Sequence, residues 1–312
     1  MNSSRKTCRA ILIAGPTASG KSALALSLAE RYGGVVVNTD SMQVYQELRV
    51  LTARPTPEEE ARAPHALYGF VSVREAYSVG RYLADATRAI EAAEQQGRLP
   101  IFVGGTGLYF KAMLEGLSPI PSIPDDIRAH WRAEAQRLGS AELHRVLAER
   151  DPAMGARLRP TDPHRIVRAL EVLDATGQSL AEWQKIPGQG ILTEEDTVRL
   201  VILPNRAELY RRCETRFDEM IRQGALGEVA AMRAMDLDPD LPAMTAHGVP
   251  HLLAALRGEI DLDTAATLAK RDTRHYAKRQ FTWIRRNMQS WKQVDAQEMQ
   301  TLHAEIDRFV KV

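Results

Sequence analysis

The segment Gly15-Pro-Thr-Ala-Ser-Gly-Lys-Ser22 constrains this chain more than any other. It matches the phosphate-loop pattern, two glycines separated by four residues and followed by Lys and Ser. Ahead of it runs Ala10-Ile-Leu-Ile-Ala14, an apolar stretch suited to a strand buried on both faces. Behind it, residues 23–29 are rich in helix formers and stop before Gly33-Gly34. A strand, a glycine turn and a helix in that order imply a parallel sheet with helical crossovers. The glycines let backbone N–H groups turn inward onto phosphate oxygens, and the helix start adds positive potential. Gly15, Pro16, Thr17, Ala18, Ser19 and Gly20 are therefore the candidate phosphate cradle. Lys21 supplies a point charge, and the Ser22 hydroxyl is a candidate ligand for Mg²⁺.

The alternation continues downstream. Val35-Val-Val37 reads as a second strand, residues 80–96 as a helix closed by Gly97, and Leu99-Pro-Ile-Phe-Val103 as a third strand. The texture changes at Leu117-Ser-Pro-Ile-Pro-Ser-Ile-Pro124, whose prolines mark a linker. From residue 125 to about 185 the patterns are helical only. Residues 125–138 stop at Gly139, and residues 140–150 follow. Residues 163–176 have Asp162 as cap, Pro163 in the first helical position and Gly177 at the end. Strand texture returns at Thr197-Val-Arg-Leu-Val-Ile-Leu203, and the remainder is helical. The expected fold class is α/β: a P-loop-containing parallel sheet core interrupted by a helical insertion domain. The core would comprise residues 1–118 and 192–312 with its C-terminal helices, and the insertion residues 119–191.

Composition narrows the partners. Lys plus Arg number 41 against 40 Asp plus Glu, a net charge of +1, so any nucleic-acid contact needs a local basic face. Two cysteines, Cys8 and Cys213, cannot build a disulfide framework or a four-ligand zinc site. No apolar run approaches the ~20 residues of a membrane span. The run that follows the polar first nine residues is too short for a signal-peptide core. A cytoplasmic protein with no membrane contact is expected.

The loop alone does not name its polyphosphate, since ATPases, GTPases and kinases share it. A motor ATPase or a GTPase carries an acid at the end of a core strand to hold Mg²⁺. Here the third strand runs into Gly104-Gly-Thr-Gly107, and no Asn-Lys-x-Asp guanine motif occurs. The acid that does follow a strand is Asp40, in Asn38-Thr-Asp-Ser-Met-Gln-Val-Tyr45. Strand ends of a doubly wound sheet open onto one crevice, so Asp40 and Thr106 are expected to face the loop. That arrangement suits a transferase whose Asp handles an acceptor. A small-molecule or nucleotide kinase with ATP on the loop, or a non-catalytic nucleotide-gated RNA-binding module, fits these residues too.

Taken together, the loop, Asp40-Ser-Met-Gln-Val-Tyr45, Thr52-Ala-Arg-Pro55, Gly104-Gly-Thr-Gly-Leu-Tyr109 and Tyr276-Ala-Lys-Arg-Gln-Phe-Thr-Trp283 resemble the bacterial tRNA dimethylallyltransferases. These are also called tRNA isopentenyltransferases. The resemblance spans residues 10–286. It implies transfer of a dimethylallyl group from dimethylallyl diphosphate to the N6 amine of adenine 37, just 3′ of the anticodon, with release of diphosphate. It implies Mg²⁺ as cofactor, a monomer, and a loop that holds the donor's diphosphate. Asp40, Thr106, Lys21 and Arg216 are its implied catalytic residues, Arg216 being directed at the diphosphate. The chemistry suits them. An exocyclic adenine amine is a weak nucleophile and needs a proton acceptor such as Asp40. Displacement at an allylic carbon builds negative charge on the leaving diphosphate, which loop amides, Lys21 and Mg²⁺ would stabilise.

The acceptor, a tRNA anticodon stem-loop, must surrender a stacked base to a pocket. The resemblance sets Asp40, Ser41, Met42, Gln43 and Thr106 against it. For the RNA backbone, residues 270–286 carry Lys270, Arg271, Arg274, Lys278, Arg279, Arg285 and Arg286 against the single acid Asp272. On a helix Arg271, Arg274, Lys278 and Arg285 share one stripe, and the interleaved aromatics read as a packed side. Lys278, Arg279, Gln280, Phe281, Thr282, Trp283, Ile284 and Arg285 form the expected contact segment. In the insertion, Arg128, His164, Arg165, Ile166, Val167 and Arg168 are the corresponding candidates. Two departures from the family pattern stand out. Leu51-Thr-Ala-Arg-Pro55 replaces Gly-Thr-Ala-Lys-Pro, and Gly248-Val249, within Ala246-His-Gly-Val-Pro-His251, replaces Gly-Tyr. His247 and His251 are four apart, but Pro250 is expected to spoil a helix there, so no metal pair is expected.

Overall fold

The structure, a computed structural model, describes residues 8–294 and 306–307. Most of the polar start and the far end of the expected core segment lie outside the described residues. Six strands make one parallel sheet: β1 (Ala10–Ala14), β2 (Val35–Asn38), β3 (His65–Ala66), β4 (Pro100–Gly104), β5 (Thr197–Val201) and β6 (Lys292–Gln293). Their order is β3-β2-β4-β1-β5-β6. β1 lies in the middle because both of its faces are apolar. Ala10, Leu12 and Ala14 join one core cluster, while Ile11 and Ile13 join the cluster on the other face. Burying one such Leu or Ile is worth ~1.5–3 kcal/mol, so this run belongs at the centre.

The helices are α1 (Lys21–Tyr32), α2 (Pro57–Arg62), α3 (Val79–Gln95), α4 (Gly107–Glu115), α5 (Asp125–Arg150), α6 (Pro152–Arg157), α7 (Pro163–Thr176), α8 (Leu180–Trp183), α9 (Arg206–Arg222), α10 (Ala225–Ala234), α11 (Val249–Leu256) and α12 (Leu262–Asn287). None is long and apolar enough to cross a membrane among the described residues. The winding reverses between the neighbours β1 and β4. β1 leads to β2 on one side, and β4 leads across β1 to β5. Loops leaving such a pair of strands face the crevice where ligands bind.

The chain divides into two compact units, Met1–Leu114 with Ile191–Val312, and Glu115–Gly190. The second unit holds α5 to α8 around Trp131, Leu143, Leu147, Ile166 and Leu170. Gly139, at φ 73°, breaks α5 at the expected stop. Asp162 caps α7 by accepting the Arg165 N–H, and Gly177 closes it. Two features differ from the sequence reading. β3 and β6 are two-residue edge strands, too short to leave a readable pattern. Pro250 starts α11 instead of spoiling it, because a first-turn residue needs no N–H partner and its φ is already helical.

Candidate active site

The phosphate loop leaves β1 at the reversal point, and the Gly15 N–H donates to Gly104 O at 3.3 Å, joining it to the loop after β4. Ala18 sits at φ 61°, a left-handed conformation that costs a non-glycine residue energy and that clusters at functional loops. Ser19 Oγ is buried without a hydrogen-bond partner among the described residues. Lys21 Nζ donates to Pro16 O at 3.2 Å. Burial pushes this amine down to about 8, with the Asp40 charge opposing the shift and Arg216 adding to it. Lys21, Ser22 and Arg216 share a cavity of about 370 Å³ with the rest of residues 18–23. An orphaned hydroxyl and a poorly solvated ammonium make this loop a fit for an anion.

Asp40 follows β2, and its Oδ1 accepts the Met42 N–H at 2.9 Å. Asn38 grips the Asp40 main chain from both sides. Its Oδ1 accepts the Asp40 N–H at 2.8 Å, and its Nδ2 donates to Asp40 O at 2.9 Å and to Leu67 O at 3.0 Å. The Ser41 N–H donates to Thr106 Oγ1 at 3.0 Å, and the Thr106 N–H donates to Thr39 O at 3.2 Å. The loops after β2 and β4 are thus locked together through Thr106, whose side chain also meets Tyr276. Asn38, fully buried, went unread in the sequence; its only signal is a polar residue closing an apolar strand. Asn38→Ala should release the Asp40 peptide and lower kcat about tenfold or more, since small misplacements are costly in catalysis. Donor KM should hold near its original value in steady-state kinetics.

Asp40 looks into a second cavity, of about 380 Å³. Thr17 of the loop, Leu51, Thr52, His247, Tyr276 and Arg279 also line it, and α9 contributes Cys213, Arg216, Phe217 and Met220. The negative charge of Asp40 acts on Lys21, Arg216, His247 and Tyr276. Burial weighs against the Arg216 charge and pushes the Cys213 thiol up. Burial and the Arg279 charge push the His247 imidazole down, so it stays neutral. The His247 ring lies 4.5 Å from that of Tyr276, whereas His251 Nε2 meets Asp272 Oδ2 at 2.8 Å. The two histidines therefore serve different partners. Val249, where the family pattern has tyrosine, is buried in the core.

α12 closes the site through Gln280, which accepts the Thr17 N–H and donates to Gly105 O, each at 2.9 Å. A Cβ at Gly105 would collide with this amide and one at Gly107 with the Trp283 ring, so both glycines are needed for α12 to approach. Gln280 is thereby a buried tie and not an RNA contact. Phe281 and Ile284 are core residues as well, and Ile166 is fully buried within the insertion. The physical reason is shared: consecutive helical residues point around the axis and cannot all face one surface. Gln43 also turns inward, its Nε2 bracing Thr52 O and Ala53 O at 3.0 and 2.8 Å.

The remaining candidates divide by exposure. Lys278, Arg279, Thr282 and Trp283 line a shallow groove with His275, Arg286 and Asn287. The Arg285 guanidinium lies over Phe281 at 4.6 Å. Lys270, Arg271 and Arg274 are committed to Asp218, Asp272 and Glu214. Lys278 makes no ion pair among the described residues. In the insertion, His164 and Arg165 are exposed, while Arg128, Val167 and Arg168 are half-buried. Arg165 pairs with Asp162 at 3.3 Å and Arg168 with Glu171 at 3.4 Å.

A strand–loop–helix anion cradle that opens, past one arginine, onto a pocket with a strand-end carboxylate defines a P-loop α/β protein built for group transfer. The IPP transferase family matches residues 43–287 and the isopentenyl transferase family residues 8–66. A tRNA dimethylallyltransferase of Beijerinckia indica subsp. indica is 58% identical over 292 residues, covering 94% of this chain and 97% of that protein, and the chain belongs to the tRNA dimethylallyltransferase family. A relative in Nitrobacter hamburgensis is 57% identical, covering 93% of this chain and 91% of that one. The crystal structure of the full-length tRNA isopentenylpyrophosphate transferase of Bacillus halodurans matches with a TM-score of 0.69 at 30% identity, over 97% of both chains. A eukaryotic dimethylallyltransferase acting on tRNA matches with a TM-score of 0.74 at 29% identity, over 88% of this chain and 69% of that one. These relatives do not favour the kinase or the non-catalytic RNA-binding reading.

Proposed function

We propose that this chain transfers the dimethylallyl group of dimethylallyl diphosphate to the N6 amine of adenine 37 in the tRNA anticodon loop and releases diphosphate. It does so as a monomer in the cytoplasm. The observation that carries this reading is the single cavity in which Thr17 of the phosphate loop and Arg216 meet Asp40. The diphosphate takes the amides of residues 18 and 20–22, which have no partner among the described residues, the unpartnered Ser19 hydroxyl, Lys21 and Arg216. The extruded adenine takes the Asp40 side, where His247 and Tyr276 offer neutral rings. As the C1–O bond of the donor breaks and the C1–N6 bond forms, the electron pair leaves with diphosphate and the N6 proton passes to Asp40. Arg216, Lys21 and the loop amides hold the charge that develops on the leaving group.

The residues present fit Mg²⁺ as well. Ser22 opens on the same cavity as Lys21. Among the described residues no three of His, Cys, Asp and Glu gather into a protein cage for a metal. Mg²⁺ would be held by Ser22 and by diphosphate oxygens, the usual mode for this ion. When bound it supplies charge neutralisation at the leaving group. The deciding experiment incubates the protein with labelled dimethylallyl diphosphate, Mg²⁺ and bulk tRNA. Label is expected in the RNA at the adenine beside the anticodon, and unlabelled RNA would sink the reading.

The groove on α12 supports an RNA backbone contact, because Lys278 is exposed and, among the described residues, pairs with no acid. Lys278→Ala should weaken binding of every tRNA alike and lower the slope of log affinity against log salt by ~0.7–0.9. Filter binding at several salt concentrations reads both quantities. An unchanged slope would move the RNA face elsewhere, first to His164 and Arg165.

A further inference from the structure

Two cavities meet at two side chains of α9. Met220 and Arg216, a helical turn apart on α9, line both the cavity of about 380 Å³ that holds Asp40 and a neighbouring cavity of about 490 Å³. The neighbour adjoins Ser22 of the phosphate loop, and its lining mixes the apolar Leu26, Val36 and Val50 with charged groups that include Arg49, Arg54, Glu58 and Glu59. Prenyl transfer as described above makes no use of it.

We propose that Met220 sets the length of the prenyl group, admitting a five-carbon donor and excluding a ten-carbon one. The inference rests on the prenyl-transfer reading. A donor held by its diphosphate at the loop and at Arg216 sends its tail along α9. In the first cavity that tail meets Leu51, Phe217 and Met220, and the same space must also receive adenine. With adenine in place, five further carbons are directed past Met220 into the neighbouring cavity, where Leu26, Val36 and Val50 offer apolar contact among polar groups. The facing wall does not give way. Glu228 accepts the N–H groups of Arg49, Val50 and Leu51 at 2.9, 2.6 and 2.9 Å, which pins the turn that lines both cavities. Met220 is the part that can be removed without loss of a hydrogen bond, because its thioether only fills the gap between the two cavities. Shortening it joins the two spaces while leaving the anion cradle and Asp40 untouched. The chemistry is then unchanged: the C1–O bond of geranyl diphosphate breaks, C1 bonds to N6, the proton goes to Asp40 and diphosphate departs.

The test assays wild type, Met220→Ala and Met220→Val with labelled dimethylallyl diphosphate and labelled geranyl diphosphate, tRNA and Mg²⁺. The ratio of kcat/KM for geranyl over dimethylallyl should rise about tenfold or more in Met220→Ala, a discrimination of the size one pocket wall can impose. It should rise less in Met220→Val, and geranylated adenosine should be found by mass in the digested tRNA. Variants that transfer dimethylallyl with the wild-type ratio overturn the proposal. Loss of both donors together overturns it too, since Met220 would then serve binding or folding and not length. A wild-type protein that modifies no tRNA from dimethylallyl diphosphate would instead remove the transfer reading itself.

Discussion

Asp40→Asn is expected to lower turnover about 10²- to 10⁴-fold, the range for loss of a positioned base, while donor and tRNA affinities change little. The substitution preserves shape. An asparagine oxygen still accepts the Met42 N–H, and Asn38 still holds the main chain on both sides. What disappears is the group that takes the N6 proton in the proposed transfer. The result is therefore a fall in kcat and in kcat/KM together, the signature of an interaction made only in the transition state. Single-turnover transfer and filter binding separate the two quantities. Turnover within about threefold of wild type would remove Asp40 from the chemistry.

The parts of this fold that were legible are those written by local chemistry. The runs at 10–14 and 35–37 had to be central strands, because no edge position buries both faces of an all-apolar segment. The helix at 163–176 was readable to the residue, since Asp162, Pro163 and Gly177 each answer a backbone requirement at a helix end. Asp40 was found because it follows a strand whose end opens on the crevice. The unread parts are tertiary. Gln280 lies 263 positions from the Thr17 amide it accepts, and nothing in its neighbourhood marks it apart from the groove-lining residues beside it. Glu228 looks like an ordinary surface acid on α10 until its carboxylate is seen on three amides of the 49–51 turn. Met220 follows helical spacing on α9, and only the two cavities reveal that it is a partition.

The departure at Gly248-Val249 follows the same logic. In the sequence it is the loss of a tyrosine ring. In the fold Val249 packs into the core, and the rings that line the cavity include that of His247, two residues earlier, tilted against Tyr276 at 4.5 Å. The sequence reading had weighed His247 only as a metal ligand. Its place beside Asp40 and Arg279, and its neutral state, make it part of the pocket wall.

Lys21→Ala should lower transfer about 10²- to 10³-fold, the usual effect of removing one preorganised group at a developing charge, and weaken donor binding while tRNA affinity survives. Lys21 also sets a pH limb. Its amine is pushed down to about 8 in the protein without donor. It is charged below that value and neutral above it. The kcat/KM for dimethylallyl diphosphate, which reports groups of the free enzyme, should therefore fall as pH rises through about 8. Bound diphosphate favours the ammonium, so the limb in kcat should lie at higher pH than the limb in kcat/KM. Lys21→Arg keeps a charge throughout this range and should lose the limb near 8, at a lower absolute rate because a planar fork replaces a point donor in the loop. Asp40→Asn should move the limb the other way, to lower pH, since the Asp40 charge is what holds the Lys21 amine up against burial. Steady-state profiles from pH 6 to 10 on the three proteins decide the matter. An alkaline limb that persists unshifted in Lys21→Arg would assign it to a different group.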